Sequence, residues 1–350
     1  MVKTIIDYIK ENRGKTFHEL PFSSLDVLVL CNMTYPKWNG FAPEDGQTCT
    51  FGDIARMPGY DIMFDDPTYG PTYRKVFALV QDSPRYRNIR LGYFREHVDP
   101  AAETQFAAIT YFLGPNRHFV AFRGTDGTVT GWKEDFNYVY LNTIPAEREA
   151  VAYLNRIARC TSGDLLVGGH SKGGTLAIYA SAQMSASVRS RIRRVWSIDG
   201  MGFRPSFYLS DGYRAIANKI TKIVPAGSLI GMIFSPGENY HIAASTGKGF
   251  SQHDFMNWIV KNDRLQVIPS FSHRQRRIIY RFNRWIDRNS PETIREFVRV
   301  LFSILQDPSE KYFNQVFNGS STIVRRIASG LRRLPSADRR LLLHVFLKYL

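Results

Sequence analysis

One glycine-rich segment between an apolar run and an alanine-rich run constrains this chain more than any other feature. The segment reads Gly169-His170-Ser171-Lys172-Gly173, and it joins "DLLVGG" to "GGTLAIYASAQMS". A short apolar run closed by glycines predicts a buried β-strand, and the small-residue run predicts a helix. A strand that turns at once into a helix needs a tight turn, where flanking side chains would clash. Glycine at the first and last positions removes that clash.

Two chemical interpretations of this turn can be compared. A phosphate-binding loop needs the order G-x-x-x-x-G-K-[ST], whereas here Ser171 precedes Lys172 and the glycine spacing is absent. The pattern G-x-S-x-G after a strand and before a helix instead predicts a nucleophile elbow, with Ser171 as the nucleophile. The main-chain N–H of Lys172 would then lie at a helix N-terminus, where it can donate to a developing oxyanion.

Strands and helices alternate on both sides of this turn. The runs "QFAAITYFL", "HFVAFRG", "RRVWSIDG" and "NKITKIVPAG" are apolar, β-rich and closed by turn residues, and "PAEREAVAYLNRIAR" has helical spacing. Such alternation predicts an α/β fold with a mainly parallel sheet covered by helices on both faces. Residues 1–100 combine short helical patterns with loops, and we assign no chemistry to them.

The last part of the chain differs in charge. Residues 271–350 carry 16 lysines and arginines against 6 aspartates and glutamates, which leaves +10 of the formal +15 in this segment. The run 274–289 has arginines around an apolar face, and further helical runs follow at 290–305, 321–333 and 337–350; the apolar face is formed by Ile278, Ile279, Phe282, Trp285 and Ile286. The sequence therefore predicts a domain at 1–270 and a basic helical extension at 271–350, which packs against that domain through its apolar stripe while its arginines face outward.

A second oxyanion donor is expected at the end of another strand. In "HFVAFRGTDG" the strand ends before Thr125, whose N–H or hydroxyl could complete an oxyanion hole, although an ordinary turn fits the same residues.

These motifs together resemble a known family. "AFRGT", followed by Trp132 and Asp135 and then by "GGHSKGG", is similar to the class 3 (fungal-type) lipases. The fuller set is "FRGTDGTVTGWKEDFN", "GHSKGGTLA", "SIDGMGF", "ITKIVPAGSLIGM" and "QHDFMNW", between about residues 122 and 258, with "SSLDVLVLCNMTYP" near the start. This set resembles the Mbeg-like family of bacterial α/β-hydrolases. The resemblance implies an α/β-hydrolase (lipase-like) fold and no particular substrate.

The remaining catalytic residues follow from chain order, which in this fold is serine, acid, histidine. Asp199 ends the strand after the elbow, as the acid does in pancreatic-type lipases. Class 3 lipases place the acid before a Val-Pro pair, where this chain has Ile223. We therefore predict Asp199 as the acid, with Asp211 as the alternative.

The histidine must follow the acid in the chain. His253 lies in a loop after a glycine-rich stretch and is the first choice, with His241 second, and the other histidines downstream are His273 and His344. Asp254 is expected to cap the segment that follows it. His170 is expected to be a packing residue of the elbow.

The function expected from these residues is that of a serine esterase or lipase-like hydrolase acting through Ser171, Asp199 and His253. Neither a metal nor an organic cofactor is required. The alternative is a catalytically silent hydrolase-fold scaffold that binds an anionic partner. We expect acyl esters as substrates, peripheral contact of the basic tail with anionic lipid, and no nucleic-acid partner, because no recognition motif accompanies the charge.

The composition suggests a compartment. The chain has no apolar run of 18 residues and no signal-like start, so we expect a cytoplasmic protein, with the basic tail as the candidate for membrane contact. The odd cysteine count, Cys31, Cys49 and Cys160, predicts free and buried thiols.

Overall fold

The computed structural model describes residues 2–44, 46–235, 239–305 and 320–349. The chain forms two compact units, of which the first contains Met1–His97, Phe106–Gly124 and Ala146–Phe271. The second contains Val98–Gln105, Thr125–Pro145 and Ser272–Leu350. The division at Phe271 lies next to the boundary expected from the sequence. The two earlier segments of the second unit were not part of that expectation.

One large mixed sheet contains most of the strands. Its order is β1-β2-β3-β4-β5-β6-β7-β8-β11, and β9 and β10 form a separate hairpin. The strands are β1 Thr48–Thr50, β2 Arg90–Asp99, β3 Thr104–Gly114, β4 Arg117–Phe122, β5 Asp164–His170, β6 Ile192–Ile198, β7 Ile220–Pro225, β8 Tyr240–Ala243, β9 Val260–Lys261, β10 Arg264–Leu265 and β11 Val267–Ile268. From β4 to β8 each neighbouring pair is parallel, and β3 and β11 pair antiparallel at either side of this block.

The helices connect and follow these strands. They are α1 Ile5–Asn12, α2 Ser24–Asn32, α3 Phe51–Ile54, α4 Gly70–Gln81, α5 Val129–Asn137, α6 Pro145–Cys160, α7 Lys172–Gln183, α8 Ala186–Arg191, α9 Pro205–Tyr208, α10 Asp211–Ile216, α11 His273–Arg288, α12 Pro291–Leu305, α13 Ser320–Arg333 and α14 Ser336–Tyr349. Short 3-10 helices occur at Tyr60–Phe64, Ala217–Lys219, Ile230–Met232, Gly249–His253 and Phe255–Asn257. In the described residues no helix is both long and apolar enough to cross a membrane.

Both faces of the parallel strands are buried. Leu166, Trp196 and Ile198 belong to a core cluster shared with α1, α2 and α4. The residues on either side of Leu166 in the chain, Leu165 and Val167, are fully buried as well. Successive side chains of a strand point to opposite faces, so this pattern requires cover on both sides. The helix α7, which packs on β4, β5 and β6, belongs to this cover.

The strands and helices expected between residues 105 and 225 are confirmed. The parallel block and the helices around it form an α/β-hydrolase-like fold, as the sequence predicted. The strands β1 and β2, which extend the sheet from the first hundred residues, were not predicted from the sequence. Of the three free cysteines, Cys31 is buried but Cys160 is exposed, so the expectation of burial was wrong for Cys160.

Part of the apolar stripe of the basic tail is buried against helices of the second unit, and the expected packing against the sheet domain stays a prediction. Trp285 and Ile286 are each 2% exposed, and the Trp285 ring meets Phe297 of α12 edge-on at 4.9 Å. In the second unit, α14 contacts both α11 and α12. All the arginines of α11 are exposed. Residue 350, at the end of the expected final helix, lies outside the described residues.

A buried ion pair fixes the amino-terminal part of the first unit. The side chains of Asp26 and Arg85 are both fully buried, with Arg85 Nε donating to Asp26 Oδ1 at 2.8 Å and Nη2 donating to Oδ2 at 2.9 Å. The hydroxyl of Tyr86 donates to Asp26 Oδ1 at 2.6 Å. The remaining guanidinium nitrogen, Nη1, donates to the carbonyls of Lys15, Thr16 and Leu20. Arg85 therefore ties the loop before α2 to the segment after α4.

The variant Asp26→Asn is expected to lower the free energy of unfolding by about 3–5 kcal/mol, because it leaves the buried Arg85 charge without its counter-ion. The matched control is Asp53→Asn. Both aspartates occupy the third helical position of a capping box, but Asp53 pairs with the exposed Arg56. We expect the control to cost about 1 kcal/mol or less. Urea unfolding followed by circular dichroism measures both, and equal losses would contradict a special role for the buried pair.

Candidate active site

Ser171 occupies a strained turn between β5 and α7. Its backbone has φ 55° and ψ −128°, a combination that residues with a Cβ seldom adopt. Its N–H donates to the carbonyl of Ile198 on β6 at 2.8 Å, which holds the turn to the neighbouring strand. Strain of this kind costs on the order of 1–3 kcal/mol and persists only where the surroundings enforce it.

The glycines around Ser171 are required by close contacts between main chains. A Cβ added to Gly173 would lie 2.2 Å from the carbonyl oxygen of Phe122 at the end of β4, and one added to Gly169 would lie 2.3 Å from the carbonyl carbon of Gly173. A Cβ on Gly124 would lie 2.5 Å from the carbonyl oxygen of His170. No side chain fits at these distances, so the start of α7 lies directly against the ends of β4 and β5.

Asp199 leaves the sheet beside Ser171. In the parallel register of β5 and β6, His170 is opposite Ile198, so Ser171 and Asp199 are the next residues on adjacent strands. Asp199 also has a positive φ, of 48°, and its N–H donates to the carbonyl of Ile223 on β7 at 2.7 Å. Two neighbouring parallel strands thus end in similar strained turns at the same edge of the sheet.

The carboxylate of Asp199 contacts His253. The distance from His253 Nδ1 to Asp199 Oδ2 is 2.6 Å, and the Asp199 side chain is only 1% exposed. The other oxygen, Oδ1, accepts a hydrogen bond from the hydroxyl of Ser228 at 2.5 Å. A carboxylate only accepts, so the proton of a neutral His253 ring lies on Nδ1 and leaves the lone pair on Nε2. That tautomer is the one a general base requires.

The loop that contains His253 is held at consecutive carbonyl groups. Trp258 Nε1 donates to the carbonyl of Gln252 at 2.8 Å. The carbonyl of His253 itself lies 2.9 Å from His170 Nε2. Asp254 Oδ1 accepts from the N–H of Met256 at 2.9 Å, which is the capping role expected from the sequence. The loop therefore does not depend on the Asp199 contact alone for its position.

His170 is more than the packing residue that the sequence suggested. Besides the bond to His253, its Nδ1 lies 2.7 Å from the hydroxyl of Tyr35. The centroids of the His170 and His253 rings are 4.6 Å apart. Burial, together with the nearby His253 imidazole, holds the pKa of His170 well below its usual range. His170 does pack within the elbow, but both hydrogen-bond partners are far away in the chain, so local sequence could not predict them.

The other candidates lie in different surroundings. Asp211 is an exposed residue at the start of α10. His241 is exposed on β8, opposite Ile223 of β7. His273 begins α11, and His344 lies in α14. Asp199 and His253 are thus the acid and histidine candidates that the structure brings into contact with each other.

The two expected oxyanion donors remain predictions. Lys172 is buried at the first residue of α7, where its main-chain N–H lies at the positive end of the helix dipole. Thr125 is the first residue of a second-unit segment, and its hydroxyl donates to the carboxylate of Asp135. Because the hydroxyl is engaged in this way, the main-chain N–H is the better candidate of the two groups considered at Thr125.

Two residues of this site were not found from the sequence. Tyr35 lies in the "SSLDVLVLCNMTYP" block and Ser228 in the "ITKIVPAGSLIGM" block, so both fell inside segments that carried the family resemblance. A sequence block that resembles a family identifies a segment of the chain, but it does not show which hydroxyl bonds to which partner. Within the described residues, no cluster of histidine, cysteine, aspartate or glutamate side chains could hold a metal ion.

The parallel sheet, the strained serine turn and the Asp199–His253 contact define a protein with an α/β-hydrolase-like fold. The family model of the Mbeg1-like proteins matches residues 80–303, and the chain belongs to this family. A search of the curated proteins found no match to the sequence.

Solved lipase structures resemble the chain only weakly. The Rhizomucor miehei lipase in its propeptide complex is 15% identical over 53% of this chain and 61% of that chain, with a TM-score of 0.35. The chain thus spans less than two thirds of that lipase. A fungal lipase–inhibitor complex is 11% identical over 64% of this chain and 80% of that chain, with a TM-score of 0.38. A mutant form of MDLA from Penicillium cyclopium is 12% identical over 71% and 87%, with a TM-score of 0.38. Likeness at this level says nothing about the activity of this chain.

The variant Gly173→Ala is expected to lower the free energy of unfolding by about 1–3 kcal/mol, because the new methyl group meets main-chain atoms that cannot move away independently. Gly14→Ala is the matched control, since a Cβ at Gly14 has no atom within 4 Å. We expect the control to stay within about 0.5 kcal/mol of the parent protein. Urea unfolding measures both variants, and an unchanged Gly173→Ala protein would contradict the close approach of α7 to β4.

Proposed function

We propose that this protein is a serine hydrolase that cleaves carboxylic esters through an acyl-enzyme on Ser171. The observation that carries the proposal is the 2.6 Å contact between His253 and Asp199. The loop that contains His253 is in turn hydrogen-bonded, through the His253 carbonyl, to His170, the residue before Ser171. A serine in a strained turn, a histidine in the basic tautomer and a buried carboxylate are the three groups that this chemistry needs.

The reaction would proceed in two balanced halves. The Oγ of Ser171 attacks the ester carbonyl carbon while its proton passes to Nε2 of His253. The carbon–oxygen bond to the alcohol then breaks, and His253 returns the proton to the leaving alcohol. Water repeats the sequence on the acyl-enzyme, releasing a carboxylic acid and restoring the serine.

Each supporting group has a separate task. Asp199 accepts from Nδ1 of His253 and stabilises the imidazolium that forms during attack. The N–H of Lys172 is the proposed donor to the oxyanion, and the second donor expected from the sequence, the N–H of Thr125, stays a prediction. Ser228 donates to the other carboxylate oxygen of Asp199 and so fixes the direction in which that carboxylate faces.

Ser171 is expected to be phosphonylated by a fluorophosphonate probe, and Ser171→Ala is expected to abolish labelling. Asp199→Asn should slow labelling by several orders of magnitude, on the order of 10⁴-fold, because the amide favours the wrong tautomer of His253. The matched control is Asp211→Asn, which removes the same charge at an exposed helix start. Labelling rates at neutral pH are determined by mass spectrometry for the parent protein and the three variants.

Two outcomes would contradict this assignment. A folded parent protein that no probe of any size labels would favour the catalytically silent scaffold. Loss of labelling in Asp211→Asn, with Asp199→Asn unaffected, would move the acid to Asp211.

We also propose that α11 contacts anionic lipid. Five of its arginines recur alternately three and four residues apart, so they form one row along the helix; they are Arg274, Arg277, Arg281, Arg284 and Arg288. All five are exposed, and so is Tyr280, to 60%, beside Arg284. The apolar side of the helix is occupied by packing within the second unit, so binding to the lipid would be electrostatic. Membrane lipids contain carboxylic esters, the class of substrate proposed above.

Replacing Arg277, Arg281 and Arg284 by Gln is expected to weaken binding to anionic vesicles roughly 10²-fold at low salt, since each arginine near the surface contributes about 1 kcal/mol. The control replaces Lys10, Lys75 and Lys261 by Gln, which removes the same charge from exposed positions of the first unit. Sedimentation with phosphatidylserine-containing and neutral vesicles measures binding. Equal pelleting with both vesicle types, or binding that about 0.5 M salt leaves unchanged, would contradict the proposal.

A further inference from the structure

The residue before the nucleophile connects the two halves of the site. His170 belongs to the same turn as Ser171, and its Nε2 lies 2.9 Å from the main-chain oxygen of His253. Its Nδ1 lies 2.7 Å from the hydroxyl of Tyr35. A ring with both nitrogens engaged is held in one orientation. This ring is therefore a direct link, within one hydrogen bond, between the serine turn and the histidine loop.

The hydrogen-bond partners determine the tautomer of His170. A carbonyl oxygen only accepts, so Nε2 of His170 must carry a proton. In a neutral ring Nδ1 is then the acceptor, and the hydroxyl of Tyr35 donates to it. With the proton on Nδ1 instead, the lone pair of Nε2 would face the carbonyl oxygen of His253. The carbonyl of His253 thus selects the tautomer that can hold the loop, and the hydroxyl of Tyr35 matches it by donating to Nδ1.

The surroundings of the two rings keep this arrangement in place. The Tyr35 ring stacks on Tyr73 at 5.5 Å, and Phe255 meets the His170 ring edge-on at 4.8 Å. The groups that face His253 are Asp199 through Nδ1, the His170 ring at 4.6 Å and the Phe250 ring at 5.6 Å. Asp254 follows it in the chain, with its carboxylate bonded to the N–H of Met256.

We propose that His170 is a positioning residue, which fixes the main chain of His253 relative to Ser171, and that Tyr35 stabilises the tautomer of His170 that can do so by donating to its Nδ1. The inference rests on the proposed function, because the position of His253 matters only if His253 acts on Ser171. Its role is distinct from that of Asp199. Asp199 orients the His253 ring through the side chain, whereas His170 holds the backbone from which that ring extends.

The first test does not depend on activity. Nitrogen-15 NMR of the histidine-labelled protein reports the tautomer and the titration of each ring. We expect His170 to be neutral, protonated on Nε2 and without titration between about pH 5 and 8, where an ordinary imidazole changes charge. In Tyr35→Phe the Nε2-protonated form should persist with a changed nitrogen-15 shift at Nδ1, because the carbonyl of His253 still requires the Nε2 proton. A parent His170 that is protonated on Nδ1, or that titrates in this range, would overturn the inference even if Ser171 reacts with probes.

The second test separates positioning from a loss of structure. His170→Met has no hydrogen-bond donor at this position, and we expect its Ser171 to be labelled on the order of 10²-fold more slowly, because His253 is no longer held in place. His170→Gln can extend an amide N–H towards the same carbonyl, and we expect it to recover most of that loss. Tyr35→Phe should label about tenfold more slowly, as expected from the loss of one hydrogen bond. Thermal unfolding of every variant identifies those that are unfolded.

The outcomes are distinguishable from a failure of the proposed function. If the parent protein is not labelled, the proposed function fails, and the NMR experiment alone then decides which tautomer His170 adopts. If the parent is labelled and folded His170→Met is labelled equally fast, the proposed function stands and the positioning role is refuted. Equal rates for folded His170→Met and His170→Gln, both slow, would also refute it, because the donor would then not be what matters.

Discussion

The contact of the first turn of α7 with the ends of β4 and β5 is the constraint on which the rest of the site depends. Main-chain atoms of Gly169, Gly173 and Phe122 approach so closely that no Cβ fits between them. This approach forces the chain to reverse within one residue, which puts Ser171 into a conformation that a residue with a side chain seldom adopts. The packing of α7 on the sheet, which buries most of the helix, supplies the free energy that maintains the strain.

The parallel register extends this constraint to the neighbouring strand. Because His170 pairs with Ile198, the turns after β5 and β6 lie side by side, and Ser171 and Asp199 share one edge of the sheet. The hydroxyl of Ser228 and the ring of His253 then occupy the two oxygens of the Asp199 carboxylate. A buried carboxylate is costly unless its oxygens are paired, so these two contacts make its burial possible.

His170 shows how a residue of a short motif acquires a role from the fold. Within the motif it is only the residue before the serine, and no role beyond packing was expected of it. In the structure it bonds to Tyr35 on one side and to the main chain of His253 on the other, 135 and 83 residues away in the chain. The ring N–H of Trp258 donates to the carbonyl of Gln252, the residue before His253. Two ring N–H groups therefore hold consecutive carbonyls of the histidine loop.

The sequence by itself determined the elements and the nucleophile turn. Hydrophobic runs of strand length, helical spacing and glycines on either side of Ser171 are local signals, because they reflect the geometry of a strand, a helix and a tight turn. Chain order and strand ends were sufficient to select Asp199 and His253 as candidates. Only the tertiary structure decided that these two side chains meet, that Ser228 and Tyr35 take part, and that β1 and β2 extend the sheet. Those contacts join residues remote in the chain, and no local pattern records the direction in which a buried hydroxyl or ring nitrogen points.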